Sequence, residues 1–125
     1  MKIKGVTDEA IIFDNGNKIT FNHESDCCEL NWADFGVLNP NVFNYDYDFD
    51  EDLEFRPVEG LGFLFGCVRK EKVAASLGGY VDYVEHFIFI PCYSDQNGYY
   101  SIDIDIFYNN MLVIKGLGCF ERSDW

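Results

Sequence analysis

Basic residues are scarce in this chain: 9 Lys and Arg stand against 22 Asp and Glu, a formal charge of -13 over 125 residues. A phosphate backbone has to be met by a basic patch, so direct binding to nucleic acid is not expected, and anionic membrane surfaces are disfavoured for the same reason. Basic protein surfaces and bound cations remain as partners, with solubility the plainest use of the charge. Long apolar runs are also missing. The N-terminal MKIKGVTDEAIIF lacks the run of a signal peptide, and the longest apolar stretch, near Phe87 to Tyr93, is too short to span a bilayer, so a cytoplasmic protein is expected. The five cysteines, Cys27, Cys28, Cys67, Cys92 and Cys119, have no framework spacing, and neighbours such as Cys27 and Cys28 bridge each other only with strain. Free thiols are the expectation. No glycine-rich phosphate loop is present, because the glycines of GLGFLFG from Gly60 lie inside a strand pattern.

What the chain does have is apolar and aromatic material, 48% and 18% of its residues, enough for one domain, 1–125, with a sizeable core. EAIIF from Glu9 and KITF from Lys18 flank Asp14-Asn15-Gly16-Asn17, a strong hairpin signal. In the second of these strands Ile19, Phe21 and His23 share the apolar parity, and a third strand, Cys27 to Trp32, extends the hairpin into a meander. Glycines at alternate positions of Leu61 to Val68 call for a backbone or a ring packed closely against them, or for a bend in the strand. VEHFIFI from Val84 is apolar on both parities, and Pro91 ends that strand or puts it at an edge. Tyr100, Ile102, Ile104, Ile106 and Tyr108 alternate with polar residues and form a second hairpin with the preceding strand. Asn109-Asn110 then turns into Met111 to Ile114, and the tail from Gly116 frays. Arg69 to Leu77 is the one helical stretch, stopped by Gly78-Gly79. The fold predicted is mainly β: an antiparallel meander of about seven or eight strands, rolled into a sandwich or partial barrel with at most one short helix, with α+β as the alternative.

Two groups of residues carry candidate chemistry. The first is His23, Asp26, Cys27, Cys28 and Glu29. His, Cys and carboxylate suit zinc, but structural sites usually show two converging pairs, and adjacent cysteines on a regular strand diverge. A His23–Cys27 dyad is also disfavoured, since four residues of strand span roughly 13 Å. No cofactor is predicted, with zinc or another metal as the alternative. The second group is FNYDYDFDEDLEF, Phe43 to Phe55, where aromatic and acidic residues alternate as in an extended segment with one face in the core. Asp46, Asp48, Asp50 and Asp52 form its acidic patch, and an EF-hand is excluded because Glu51 and Pro57 stand where that loop needs Gly and Glu.

ITFNHESDCCELNWADF from Ile19 and IPCYSDQNGYYS from Ile90 resemble an uncharacterised family of small bacterial and phage proteins. Its members carry a strand followed by His-x-x-Asp-Cys-Cys-Glu, and a Gln-Asn-Gly-Tyr-Tyr hairpin. His23, Asp26, Cys27, Cys28 and Glu29 match the first motif, and Gln96, Asn97, Gly98, Tyr99 and Tyr100 the second. Relatives have Gln or Gly where this chain has Ser25. The resemblance implies one fold unit and supplies no mechanism. Two functions stay open: a non-enzymatic acidic interaction module, a DNA mimic in its sharpest form, whose partner is a basic protein surface; and a metal-binding protein or metal-dependent enzyme using His23, Asp26, Cys27 and Cys28.

Overall fold

The computed structural model describes residues 1–22, 29–41, 43, 45, 48–69, 73–74, 80–81, 84–96 and 103–121, with the backbone alone at 29–30, 67–69, 73–74, 80–81, 84–86, 95–96 and 121. Its strands are β1 (Ile3–Val6), β2 (Ala10–Phe13), β3 (Lys18–Asn22), β4 (Glu29–Ala33), β5 (Glu54–Val58), β6 (Gly62–Arg69), β7 (Val73–Ala74), β8 (Tyr80–Val81), β9 (Val84–Gln96), β10 (Asp103–Tyr108), β11 (Met111–Gly118) and β12 (Phe120–Glu121). A 3-10 turn, Phe35–Leu38, follows β4. Among the described residues no helix is long and apolar enough to cross a membrane.

Period-two alternation accounts for the strands. Ile11 and Phe13 of β2 are buried while Ala10 and Ile12 are half-buried, and Ile104 and Ile106 of β10 are buried between the exposed Asp103 and the half-buried Asp105. Asn15 and Gly16 turn β2 into β3. Gly16 has φ +91 and donates its N–H to Phe13 O at 3.0 Å, and Phe13 N–H reaches Asn17 O at 2.8 Å, the three-residue hairpin in which glycine takes the left-handed position.

The first sheet runs in the order β1-β2-β3-β10-β11, all antiparallel. The second is built on β9, which pairs with β6 and, through it, β5. Neighbouring residues of a strand send their backbone groups to opposite edges. Cys92 N–H goes to Leu61 O at 2.9 Å and Pro91 O accepts from Asp34 N–H at 2.8 Å, so β6 and β4 lie along opposite edges of β9. Short β12 joins β9 in parallel at Tyr93 and Ser94, and β7 and β8 pair with each other. The sheets pack face to face, with Ile11, Phe13, Ile19 and Ile106 on one side and Phe63, Phe65 and Ile90 on the other, all fully buried in one cluster. Phe13 and Phe65 meet edge-on across the gap at 6.4 Å, and Phe55 reaches Tyr108 at 5.6 Å.

The mainly β, antiparallel, two-sheet architecture is the one expected, while several local expectations are corrected. β4 pairs with β9 and not with β3, so the meander breaks after three strands. Its Asn31 stands opposite Ser94, and the two buried side chains bond at 2.6 Å, a polar pair that only this register satisfies. β10 pairs with β3 and β11 rather than with β9, so residues 97–102, which lie outside the described ones, join two sheets. Pro91 neither ends β9 nor makes it an edge strand, since β9 has partners on both sides. It stands where the β6 ladder stops and the β4 ladder begins, so no ladder bond is asked of its missing N–H. The helix expected over Arg69 to Leu77 is replaced by the end of β6 at Arg69 and by β7 at Val73 and Ala74; pairing with β8 outweighs local propensity, and 70–72 and 75–77 lie outside the described residues. The tail does not fray before Glu121: Leu117 and Cys119 are buried and β12 is paired.

Candidate binding surface

His23, Asp26, Cys27 and Cys28 lie outside the described residues, as do Asn97, Gly98, Tyr99 and Tyr100; Gln96 and Glu29 are placed by their backbones, opposite each other at the ends of β9 and β4. Among the described residues no three His, Cys, Asp or Glu side chains gather as metal ligands. Asp46 also lies outside the described residues. Asp48, Asp50 and Asp52 do not, and their surroundings define an acidic rim at one end of the first sheet.

The rim is not a regular strand. From Asn39 to Leu53 the described residues form turns and loop, beginning where Phe43 N–H bonds Asn39 O at 2.9 Å. The alternation holds from Asp48 to Asp50, and Asn44, Asp46 and Tyr47 lie outside the described residues. Phe49 is buried against Phe13 and Phe65, with ring centroids at 5.8 and 5.6 Å, while Asp48, Asp50, Glu51 and Asp52 around it are exposed. Tyr45 is half-buried and donates its hydroxyl to Leu38 O at 2.6 Å; burial pushes its pKa up.

Contacts distant in sequence hold this loop. The Met1 ammonium donates to Asp48 Oδ1 at 3.0 Å and to Phe49 O at 2.7 Å, and Phe49 N–H returns to Met1 O at 2.6 Å. Tyr108 donates its hydroxyl to Glu51 O at 2.8 Å and accepts from Asn17 Nδ2 at 2.9 Å. Asn15 Nδ2 donates to Glu51 Oε1 at 3.4 Å, and Asp14 Oδ1 beside it accepts from Lys2 N–H at 3.1 Å. The carboxylates are felt electrostatically: burial first, then Glu51, Asp52 and Asp50, drive the Tyr108 pKa up, against the lowering effect of Asn17. Asp14, Asn15, Glu51, Tyr108 and Met1 are thus rim residues that the sequence does not join to the acidic patch. The Asn15-Gly16 turn was visible, but no local pattern shows that it docks against the acidic loop.

A cleft of about 920 Å³ lies elsewhere, between the Thr7–Ala10 turn, β3, β4 and the 3-10 turn. Several of its polar groups hold its own walls. Thr7 Oγ1 accepts from Glu9 and Ala10 N–H, Asp34 Oδ1 caps Gly36 N–H at 3.1 Å, and Asn31 is engaged with Ser94 and with Asp103 O. Comparison of the chain with protein-family models, with curated proteins and with solved structures found no match.

Proposed function

We propose that the protein is a non-enzymatic acidic binding module that engages a basic protein surface through the rim formed by Asp14, Asp50, Glu51 and Asp52. The observation that carries this reading is the anchoring of Phe49: a buried ring at the centre of the carboxylate loop, with bonds to Met1 and Tyr108 beside it, displays the charges in a set geometry. Preorganised charge costs less ordering entropy on binding than a loose acidic tail, and it steers a basic partner before contact. Asp48 is excluded from the contact set because it already faces the Met1 ammonium.

The test uses a fluorescent oligo-lysine peptide titrated at low and at physiological ionic strength. Binding is expected to weaken with salt, and Asp50→Asn with Asp52→Asn to lower affinity about five- to tenfold. The comparison variant, Asp8→Asn with Glu9→Gln, removes the same charge from the turn between β1 and β2, at the far end of the sheet, and should cost much less. Equal losses in the two variants would reduce the effect to net charge and defeat the proposal, as would binding that ignores salt.

A further inference from the structure

Cys92 and Cys119 are far apart in sequence, and both are free and buried, 0% and 2% exposed. In the parallel β12–β9 ladder Phe120 pairs with Tyr93 and Glu121 with Ser94. One step back along this register sets Cys119 opposite Cys92. Opposed residues of adjacent strands point to the same face, here the core, and strands about 4.8 Å apart fall inside the 4.4–6.8 Å between Cα atoms that a disulfide needs. The Cys119 thiol, then burial and the Asp34 carboxylate, push the Cys92 pKa far up. Each Sγ otherwise reaches the carbonyl two residues back on its own strand, Ile90 O and Leu117 O, at a long 3.8 Å.

We propose that Cys92 and Cys119 are a redox modification site, a dithiol that low-molecular-weight disulfides such as oxidised glutathione convert to an intramolecular disulfide clamping β12 onto β9. Two buried thiols do not react while the ladder is closed. β12 is the weak point: it is two residues long and its Phe120 is 49% exposed, so local opening releases Cys119 without unfolding the sandwich. The Cys119 thiolate attacks the glutathione disulfide, forming a mixed disulfide and expelling one glutathione thiolate. While β12 is still open, the Cys92 thiolate attacks Cys119 Sγ and expels the second glutathione, and β12 then recloses over the new disulfide. The two protein thiols lose two electrons, which the glutathione disulfide gains, and their two protons end on the released thiolates.

Native protein is incubated with oxidised glutathione until the Phe120 and Glu121 amides have fully exchanged with deuterated solvent in a parallel sample, so that β12 has opened many times. Expected are loss of the mass of two hydrogens, a Cys92–Cys119 cross-linked peptide in a non-reducing digest, and a higher Tm that dithiothreitol reverses. Cys92→Ala should instead accumulate glutathione on Cys119. If Cys92 and Cys119 remain thiols, or if Cys119 links to another cysteine, the proposal falls; a lowered Tm would remove the clamp. Should Cys92→Ala fail to fold, the digest of the native protein decides alone.

Discussion

Gly62 stands opposite Pro91 at the start of β6. A Cβ there would strike the Ile90 carbonyl oxygen and lie 2.9 Å from Pro91 Cα, and its φ of +156 disfavours any other residue. Both obstacles are backbone, so nothing can step aside. Gly62→Ala is expected to cost roughly 3 kcal/mol in urea unfolding, from steric and backbone strain together. Gly118→Ala should cost far less, because the nearest atom to its added Cβ is the end of the flexible Glu59 side chain. Two tyrosines make a second expectation, read in an alkaline titration. Tyr45 and Tyr108 both have pKa values raised above 10.0, chiefly by burial. A raised folded pKa means that the folded state keeps its proton longer than the unfolded one. Stability from these groups is therefore fully present below about pH 10, the unfolded value, and is lost as pH climbs through the folded values. Tyrosinate absorbance of Tyr45→Phe and Tyr108→Phe, subtracted from that of the native protein, should place both ionisations above pH 10. An ionisation of either at the ordinary tyrosine value would contradict the burial of its hydroxyl.

At the level of elements, the β10–β11 hairpin turns on two residues in the left-handed region, Asn109 at φ 50 and Asn110 at φ 65. That is the turn whose twist matches its flanking strands, and asparagine tolerates it better than any other residue with a side chain except aspartate. The two positions differ in their attachments. Asn109 Oδ1 accepts from Lys18 N–H at 2.9 Å and Asn109 N–H donates to Lys18 O at 3.0 Å, which extends the β10–β3 ladder into the turn. Asn110→Gly should thus leave stability equal or raise it by a few tenths of a kcal/mol, while Asn109→Ala should lower it by about 1–2 kcal/mol. Denaturant midpoints check both; equal effects at the two sites would mean that the Asn109 bonds contribute nothing. The next strand leaves Met111, Leu112 and Val113 exposed, yet the β10–β11 register shifts twice, and such irregularity blunts a free edge against pairing with other chains.

The whole molecule carries a charge of -13, so its carboxylates repel one another in the folded state more than in the expanded one. Salt shortens the reach of that repulsion from about 30 Å at 0.01 M to about 8 Å at 0.15 M. The urea midpoint is expected to rise between those ionic strengths. A flat response would show that local pairs such as Met1 with Asp48 and Arg56 with Glu54 already offset the excess. The same arrangement separates stability from binding: salt that firms the fold should weaken the rim's hold on a basic partner.

Strand positions were legible along the chain because alternation is a local property: Ile104 and Ile106 point inward through the pleat of their own backbone, whatever lies beside them. The Asn15-Gly16 turn and the buried Phe49 among exposed carboxylates follow the same logic, since each rests on conformation or burial within a few residues. Partners are another matter. That β3 receives β10, that β4 crosses to β9, and that Pro91 sits harmlessly at the change of ladders depend on which pairings fill one core and satisfy Asn31 with Ser94. Those terms join residues tens of positions apart, and no window along the chain contains them. The acidic rim and the Cys92–Cys119 pair belong to this second kind. Their side chains were visible in the sequence, but their neighbours came from folding, because proximity across a sandwich is set by the packing of both sheets at once.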